Sequence, residues 1–274
     1  MLRLFEDEPL AVEAIAAIRA GDLDRLQQLL NDNPDLASAT ITRRARGDRQ
    51  PFSYPLIGAA VDWPGHFPSV GQTIAMLVAA GADVNARCSG PHQETPLHGP
   101  ASSDDVEALD ALLDAGADIE APGAVIAGGT PLDDAVGFGQ WNAARRLVER
   151  GAQTAIWHAA ALGLMGRVEH YFSDGRPRAR HPWGQADSSP ENDVTIAFWC
   201  ACHGGQRAAA EYLLDRGAEL NWISPWDGLT PLDAARRSHA EEVAQWLQTL
   251  GALTIRPATA RSVASHPGQS PLPP

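Results

Sequence analysis

Residues 81–98 read Gly-Ala-Asp-Val-Asn-Ala-Arg-Cys-Ser-Gly-Pro-His-Gln-Glu-Thr-Pro-Leu-His, and both ends of this stretch recur along the chain. The opening Gly-Ala pair returns at Gly116, Gly151, Gly217 and Gly251, and the closing Thr-Pro-Leu at Thr130 and Thr230. Thr95 to Gly116, Thr130 to Gly151 and Thr230 to Gly251 are each 21 residues. A fixed distance between a helix-start signal and a helix-stop signal marks an internal repeat. The same offset, run outward, finds degenerate copies near Thr154 and Ile196, with Gly163 and Gly205 each nine residues further on. Tyr54-Pro55-Leu56 fits as another start if Trp63–Ser69 carries a six-residue insertion. Gly21 implies a start near Val12, with Asn33-Pro34-Asp35 closing that unit. Seven units are therefore expected, beginning near residues 12, 54, 95, 130, 154, 196 and 230.

Each unit has a local physical reading. Thr before Pro predicts a capped helix: the hydroxyl takes an orphan N–H, and Pro at the first helical position forfeits no hydrogen bond. Small residues such as Ala159, Ala160, Ala234 and Ala235 let neighbouring helices approach closely. A turn follows. The second helix shows the 3.6-residue apolar period, as in Val106, Leu109, Leu112 and Leu113, or Ala210, Leu213 and Leu214. It ends at Gly, which supplies a left-handed cap. Asp83-Val84-Asn85 and Glu219-Leu220-Asn221 then open an extended connector.

On Thr95-Pro96-Leu97-His98 and Gly81-Ala82-Asp83-Val84-Asn85-Ala86 the chain resembles the ankyrin repeat family, over roughly residues 10–253. The resemblance implies an all-α solenoid of about seven helix-turn-helix units, with hairpin-like connectors projecting as fingers. It also implies that His98 serves hydrogen bonding between units rather than chemistry. Residues 254–274, rich in Pro, Ser, Ala and Thr with no apolar period, read as a disordered tail. Two connectors run Arg-rich, Thr42–Tyr54 and Arg176–Trp183, the latter continuing in polar sequence to Pro190-Glu191-Asn192-Asp193.

Composition narrows the function classes. The 21 basic residues are all Arg, so no catalytic, Schiff-base or phosphate-loop Lys exists. Against 34 acidic residues they leave a net charge of -13, which disfavours DNA and anionic membranes. Three cysteines cannot staple a fold, and no stretch approaches a membrane span. The start, MLRLFEDEPLAVEA, lacks the charged-then-apolar order of a secretion signal, so a cytoplasmic protein is expected.

Nothing in the sequence assembles an active site. Cys200-Ala201-Cys202-His203 has the wrong spacing for a four-ligand zinc site, and Cys202 reads as a small buried hydrophobe. Trp157 and Trp199 read as core. Asp104-Asp105 and Asp133-Asp134 are explained by the positive end of a helix. No metal, cofactor or catalytic residue is expected, and a monomer working as a protein-interaction scaffold is the leading reading. In ankyrin-like folds the partner meets the fingers and the exposed end of the first helix. Here those positions are Arg87, His92, Trp222 and Trp226 on fingers, with Ser102, Ser103, Phe138, Leu162, His203 and Arg237 on helices. Trp222 and Trp226, four residues apart in one finger, carry the strongest signal, because exposed indoles are frequent hot spots. The alternative is a small-molecule or anion-binding protein or enzyme with its site built from the Arg176–Trp183 insertion, near His203. Arg-mediated RNA contact is a weaker third reading.

Overall fold

A Pro-capped apolar run opens the first helix of this computed structural model, which describes residues 2–44, 51–90, 92–172 and 190–255. The Arg176–Trp183 insertion, most of the Arg43–Arg49 segment and all of the tail beyond Ile255 lie outside the described residues. The chain divides into two units, one running to Asp134 and the other beginning at Ala135.

The first unit contains α1 (Pro9–Ala20), α2 (Leu23–Asp32), α3 (Val70–Ala79), α4 (His98–Ser103), α5 (Val106–Asp114) and the start of α6 (Pro131–Gly137). It also contains a sheet, which corrects the all-α expectation. β1 (Arg3–Phe5) pairs parallel with β2 (Thr40–Arg43), and β2 pairs antiparallel with β3 (Phe52–Pro55). Leu4, Ile41 and Tyr54 sit in register and are buried, so the inner face is apolar. The Arg-rich connector beginning at Thr42 is thus strand at both of its ends. Tyr54-Pro55-Leu56 leads into a 3-10 segment, Leu56–Ala60, rather than a full helix. Gly58 at its centre is a poor helix former.

The second unit holds α7 (Trp141–Glu149), α8 (Ile156–Ala161), α9 (Met165–Tyr171), α10 (Pro190–His203), α11 (Arg207–Leu214), α12 (Pro231–Arg237) and α13 (Glu241–Thr249). Within it α10 packs between α8 and α12, and α11 packs against α9. Small buried residues allow this: Ala159–Ala161 on α8, Ala197, Cys200, Ala201 and Cys202 on α10, and Ala234 and Ala235 on α12. A methyl at Gly204 would lie 2.0 Å from the Ala161 carbonyl oxygen, so the two segments approach too closely for any side chain there. Cys202 is fully buried, as a small hydrophobe. α10 starts at Pro190, so Pro190–Asp193 is helical where the sequence suggested loop.

Helix starts follow one hydrogen-bond pattern. The backbone N–H of Thr95, Thr130, Ala155 and Thr230 donates to the side chain three residues on: His98 Nδ1 at 3.0 Å, Asp133 Oδ2 at 2.8 Å, His158 Nδ1 at 3.1 Å and Asp233 Oδ2 at 3.5 Å. At Thr230 the hydroxyl also accepts the Asp233 N–H at 3.2 Å, a reciprocal capping box. His98 therefore braces its own helix start. Its burial pushes the imidazole down to about 4 against the favourable pull of the Thr95 and Gly129 backbone, so it is neutral at pH 7.

Turns are as regular as starts. Left-handed residues occur at Gly21, Ser69, Asp104, Gly139, Gly163, Gly205 and His239. The glycines after α3, α5, α7, α11 and α13, exemplified by Gly116 at φ 91°, are also left-handed, with nothing within 4 Å of an added methyl. Connectors are tied together by asparagine. Asn85 Nδ2 donates to the Gly116 carbonyl at 3.2 Å while its Oδ1 accepts the Asp118 N–H at 2.8 Å. Asn221 Oδ1 accepts the Leu253 N–H at 2.7 Å. Among the described residues no helix is long and apolar enough to cross a membrane.

Candidate functional site

The second unit assembles an aromatic chain from α7, α10 and the finger between α11 and α12. Trp199, on α10, is 1% exposed and donates its indole N–H to the Leu229 carbonyl at 3.1 Å. Trp226 meets it edge-on, with ring centres 5.1 Å apart at 84°. Trp222 lies 5.3 Å from Trp226. On the other side His203 sits 5.3 Å from Trp199, and Trp141, at the start of α7, packs 5.1 Å from His203. Five rings thus run Trp222, Trp226, Trp199, His203, Trp141. The middle is buried and the ends are wet: Trp226 is 36% exposed, and Trp222 and Trp141 are half-buried. The two edge-on contacts, Trp226 with Trp199 and Trp141 with His203, match the aromatic quadrupole preference, each worth about 0.5–1.5 kcal/mol beyond area burial.

The finger bearing two of these indoles is braced by its own backbone. Ser224 N–H donates to the Leu229 carbonyl and Gly228 N–H to the Ser224 carbonyl, both at 3.0 Å. Asp227 accepts the Leu229 N–H at 3.1 Å and also the Ser224 hydroxyl. Its other oxygen takes the Arg237 guanidinium at 2.7 Å, and that guanidinium lies 5.6 Å over Trp199. α12 is thereby tied to the finger that follows α11. Beside the indoles Ile223 is 55% exposed and Pro225 is exposed, so the finger presents a continuous apolar tip. Leu253, strongly exposed, is held next to it through Asn221.

His203 is part of the support, not of the surface. It is 4% exposed, and its Nδ1 pairs with the Ser238 hydroxyl. Burial first, and then the positive charge of Arg237, push its imidazole down to about 4, so the ring packs as a neutral aromatic. This corrects the expectation of His203 at an exposed helix end. Leu162 is corrected in the same way, being buried at the end of α8. In both cases the helix end is covered by neighbouring side chains, which periodicity does not register.

Of the other expected positions, Phe138 is half-buried in the second unit. Arg87, His92, Ser102 and Ser103 belong to the first unit. Ser102 and Ser103 return their hydroxyls to the His98 and Gly99 carbonyls, at 2.9 and 3.0 Å, and so serve their own helix. Arg87 is exposed and grips the Gln93 carbonyl at 2.9 Å and the Pro122 carbonyl. His92 is half-buried. The structure therefore brings together His203, Trp222, Trp226 and Arg237, and adds Trp141, Trp199 and Asp227. Trp199 is core, as its slot suggests, and it is also the floor on which the finger rests.

Among the described residues no group of three or more His, Cys, Asp or Glu side chains converges to hold a metal. Burial raises Glu94 to about 7 and Asp134 well above its usual range. Asp134 spends one oxygen on the Ile126 N–H at 2.9 Å, bracing a finger base. No protein-family model matches the chain, and no curated protein is significantly similar to it.

Proposed function

We propose that this chain is an ankyrin-type repeat protein of about seven helix-turn-helix units. It acts as a non-enzymatic scaffold that docks a protein partner through its fingers. In this reading it works as a cytoplasmic monomer, without cofactor, metal, DNA or membrane. The repeat reading is supported by register. The left-handed residues that precede the second helices, Gly21, Asp104, Gly139, Gly163, Gly205 and His239, each fall nine residues after an expected unit start; Ser69 falls fifteen after the start at Tyr54, the difference being the six-residue insertion between Trp63 and Ser69.

The docking reading rests on one observation: Trp226, a third exposed, is held by a hydrogen-bonded finger and packed edge-on against a buried indole. A large side chain fixed before contact loses little entropy on binding, so its buried area converts efficiently into affinity. The test is affinity capture from a lysate of the source cell with wild type, Trp226→Ala and Trp63→Ala. Trp63, 67% exposed in the first unit, is the control for an exposed indole elsewhere. The reading predicts proteins retained by wild type and Trp63→Ala and lost with Trp226→Ala, while far-UV circular dichroism stays unchanged. Equal retention by all three contradicts it.

A further inference from the structure

The outer face of the first unit's sheet carries polar side chains that neither the core nor the aromatic finger uses. Strand alternation directs Leu4, Ile41 and Tyr54 inward, and so turns Arg3, Thr40, Thr42 and Ser53 to the opposite side. Ser89 extends this row, because its N–H donates to the Ser53 carbonyl at 2.7 Å and its carbonyl accepts the Ser53 N–H at 3.3 Å. With Arg87 these residues line one groove of about 230 Å³. The Thr42 and Ser53 hydroxyls already share a hydrogen bond of 3.0 Å, so the hydroxyl row is ordered.

The charges single this groove out. Six arginines of the first unit are described. Arg19, Arg25, Arg43 and Arg44 each pair with a carboxylate: Asp62, Glu13, Glu6 and Asp7. Arg3 and Arg87 have no ion pair among the described residues, and both line the groove. Arg3 is exposed, and its side chain makes no hydrogen bond among the described residues. Arg87 is fixed by two backbone carbonyls, which orient its guanidinium without neutralising it. In a chain of net charge -13, two uncompensated guanidiniums beside four hydroxyls form a local positive, donor-rich patch. On the opposite face of the sheet Glu6 is taken by Arg43 and by the Tyr54 hydroxyl at 3.1 Å.

We propose that this groove binds a tetrahedral oxyanion, either inorganic phosphate or a phosphate monoester, clamped between Arg3 and Arg87 with the Thr and Ser hydroxyls donating to its oxygens. Guanidiniums match such oxygens bidentately, and hydroxyls can turn to donate. The groove is smaller than the roughly 300–1,000 Å³ of sites for drug-sized ligands, so it takes one anionic group rather than a nucleotide. This site is separate from the aromatic finger, and the outcome of partner capture does not bear on it.

Calorimetric titration of the full chain at low ionic strength tests it, with inorganic phosphate in one arm and phosphoserine in the other. Saturable one-to-one binding is expected, weakened at least tenfold by Arg3→Gln and by Arg87→Gln, and unchanged by Arg25→Gln. Arg3 touches nothing it would unbrace, so its variant stays informative if Arg87→Gln loosens the finger. Tighter binding of phosphoserine than of phosphate assigns the groove to a presented monoester, and equal or weaker binding assigns it to the free anion. No saturable heat in either arm, or an equal loss in Arg25→Gln, overturns the proposal.

Discussion

At the scale of single residues, two glycines separate two reasons for having no side chain. Gly116 has free space where a methyl would go and needs glycine only for its φ of 91°. Gly116→Ala is therefore expected to cost about 1–2 kcal/mol, the penalty of a left-handed L-residue. Gly204 has the opposite problem, with the Ala161 carbonyl where the methyl would be, so Gly204→Ala is expected to cost about 3 kcal/mol by forcing α8 from α10. Urea unfolding of both variants measures the difference; equal costs would contradict the geometry. His203 gives a pH signature. Its folded-state value of about 4, against 6.5 unfolded, means the unfolded chain binds more protons between those values. Stability contributed by the neutral ring is thus present above 6.5 and is lost as pH falls toward 4. The cost of His203→Asn is expected to be smaller at pH 4.5 than at pH 7 in matched urea titrations. A pH-independent cost would show that the ring is not held neutral.

At the scale of elements, what could be read from sequence was what is decided locally. Thr-Pro starts and glycine stops act within a few residues, so helix positions followed from them, including the regular turn after each first helix. Even here the detail shifted: the hydroxyl of Thr95 meets His98 at 3.1 Å rather than a backbone N–H, because the residue three on takes the capping role. The sheet was not legible, because its strands are three or four residues long and β1 pairs with residues 37 positions away. Thr40-Ile41-Thr42 does alternate and is β-branched, a weak signal that only pairing makes decisive. The finger tie was half legible: Asn85 stood out in the connector, but its partners at Gly116 and Asp118 did not. Asn85→Ala removes two hydrogen bonds and is expected to cost about 1–2 kcal/mol. Hydrogen exchange should then show faster opening at the Asp118 amide, and unchanged exchange there would contradict the tie.

At the scale of the whole molecule, composition excluded lysine-dependent chemistry more firmly than it indicated function. The Trp222–Trp226 pair was visible because both indoles lie in one short connector. Trp141 was not, since it reaches His203 from 62 residues away and no local pattern marks it. Four of the chain's eight tryptophans converge on one surface, two of them from helices that a periodicity reading assigns to packing. The central claim is that this surface, pre-set on a buried floor, carries partner affinity. Its most direct measurement is the Kd of the principal captured partner for wild type, Trp226→Ala and Trp63→Ala, by calorimetry. A hot-spot indole contributes about 2 kcal/mol or more, so Trp226→Ala should weaken binding roughly 30-fold while Trp63→Ala leaves it unchanged. An unchanged Kd for Trp226→Ala, or an equal loss for both variants, would contradict the account.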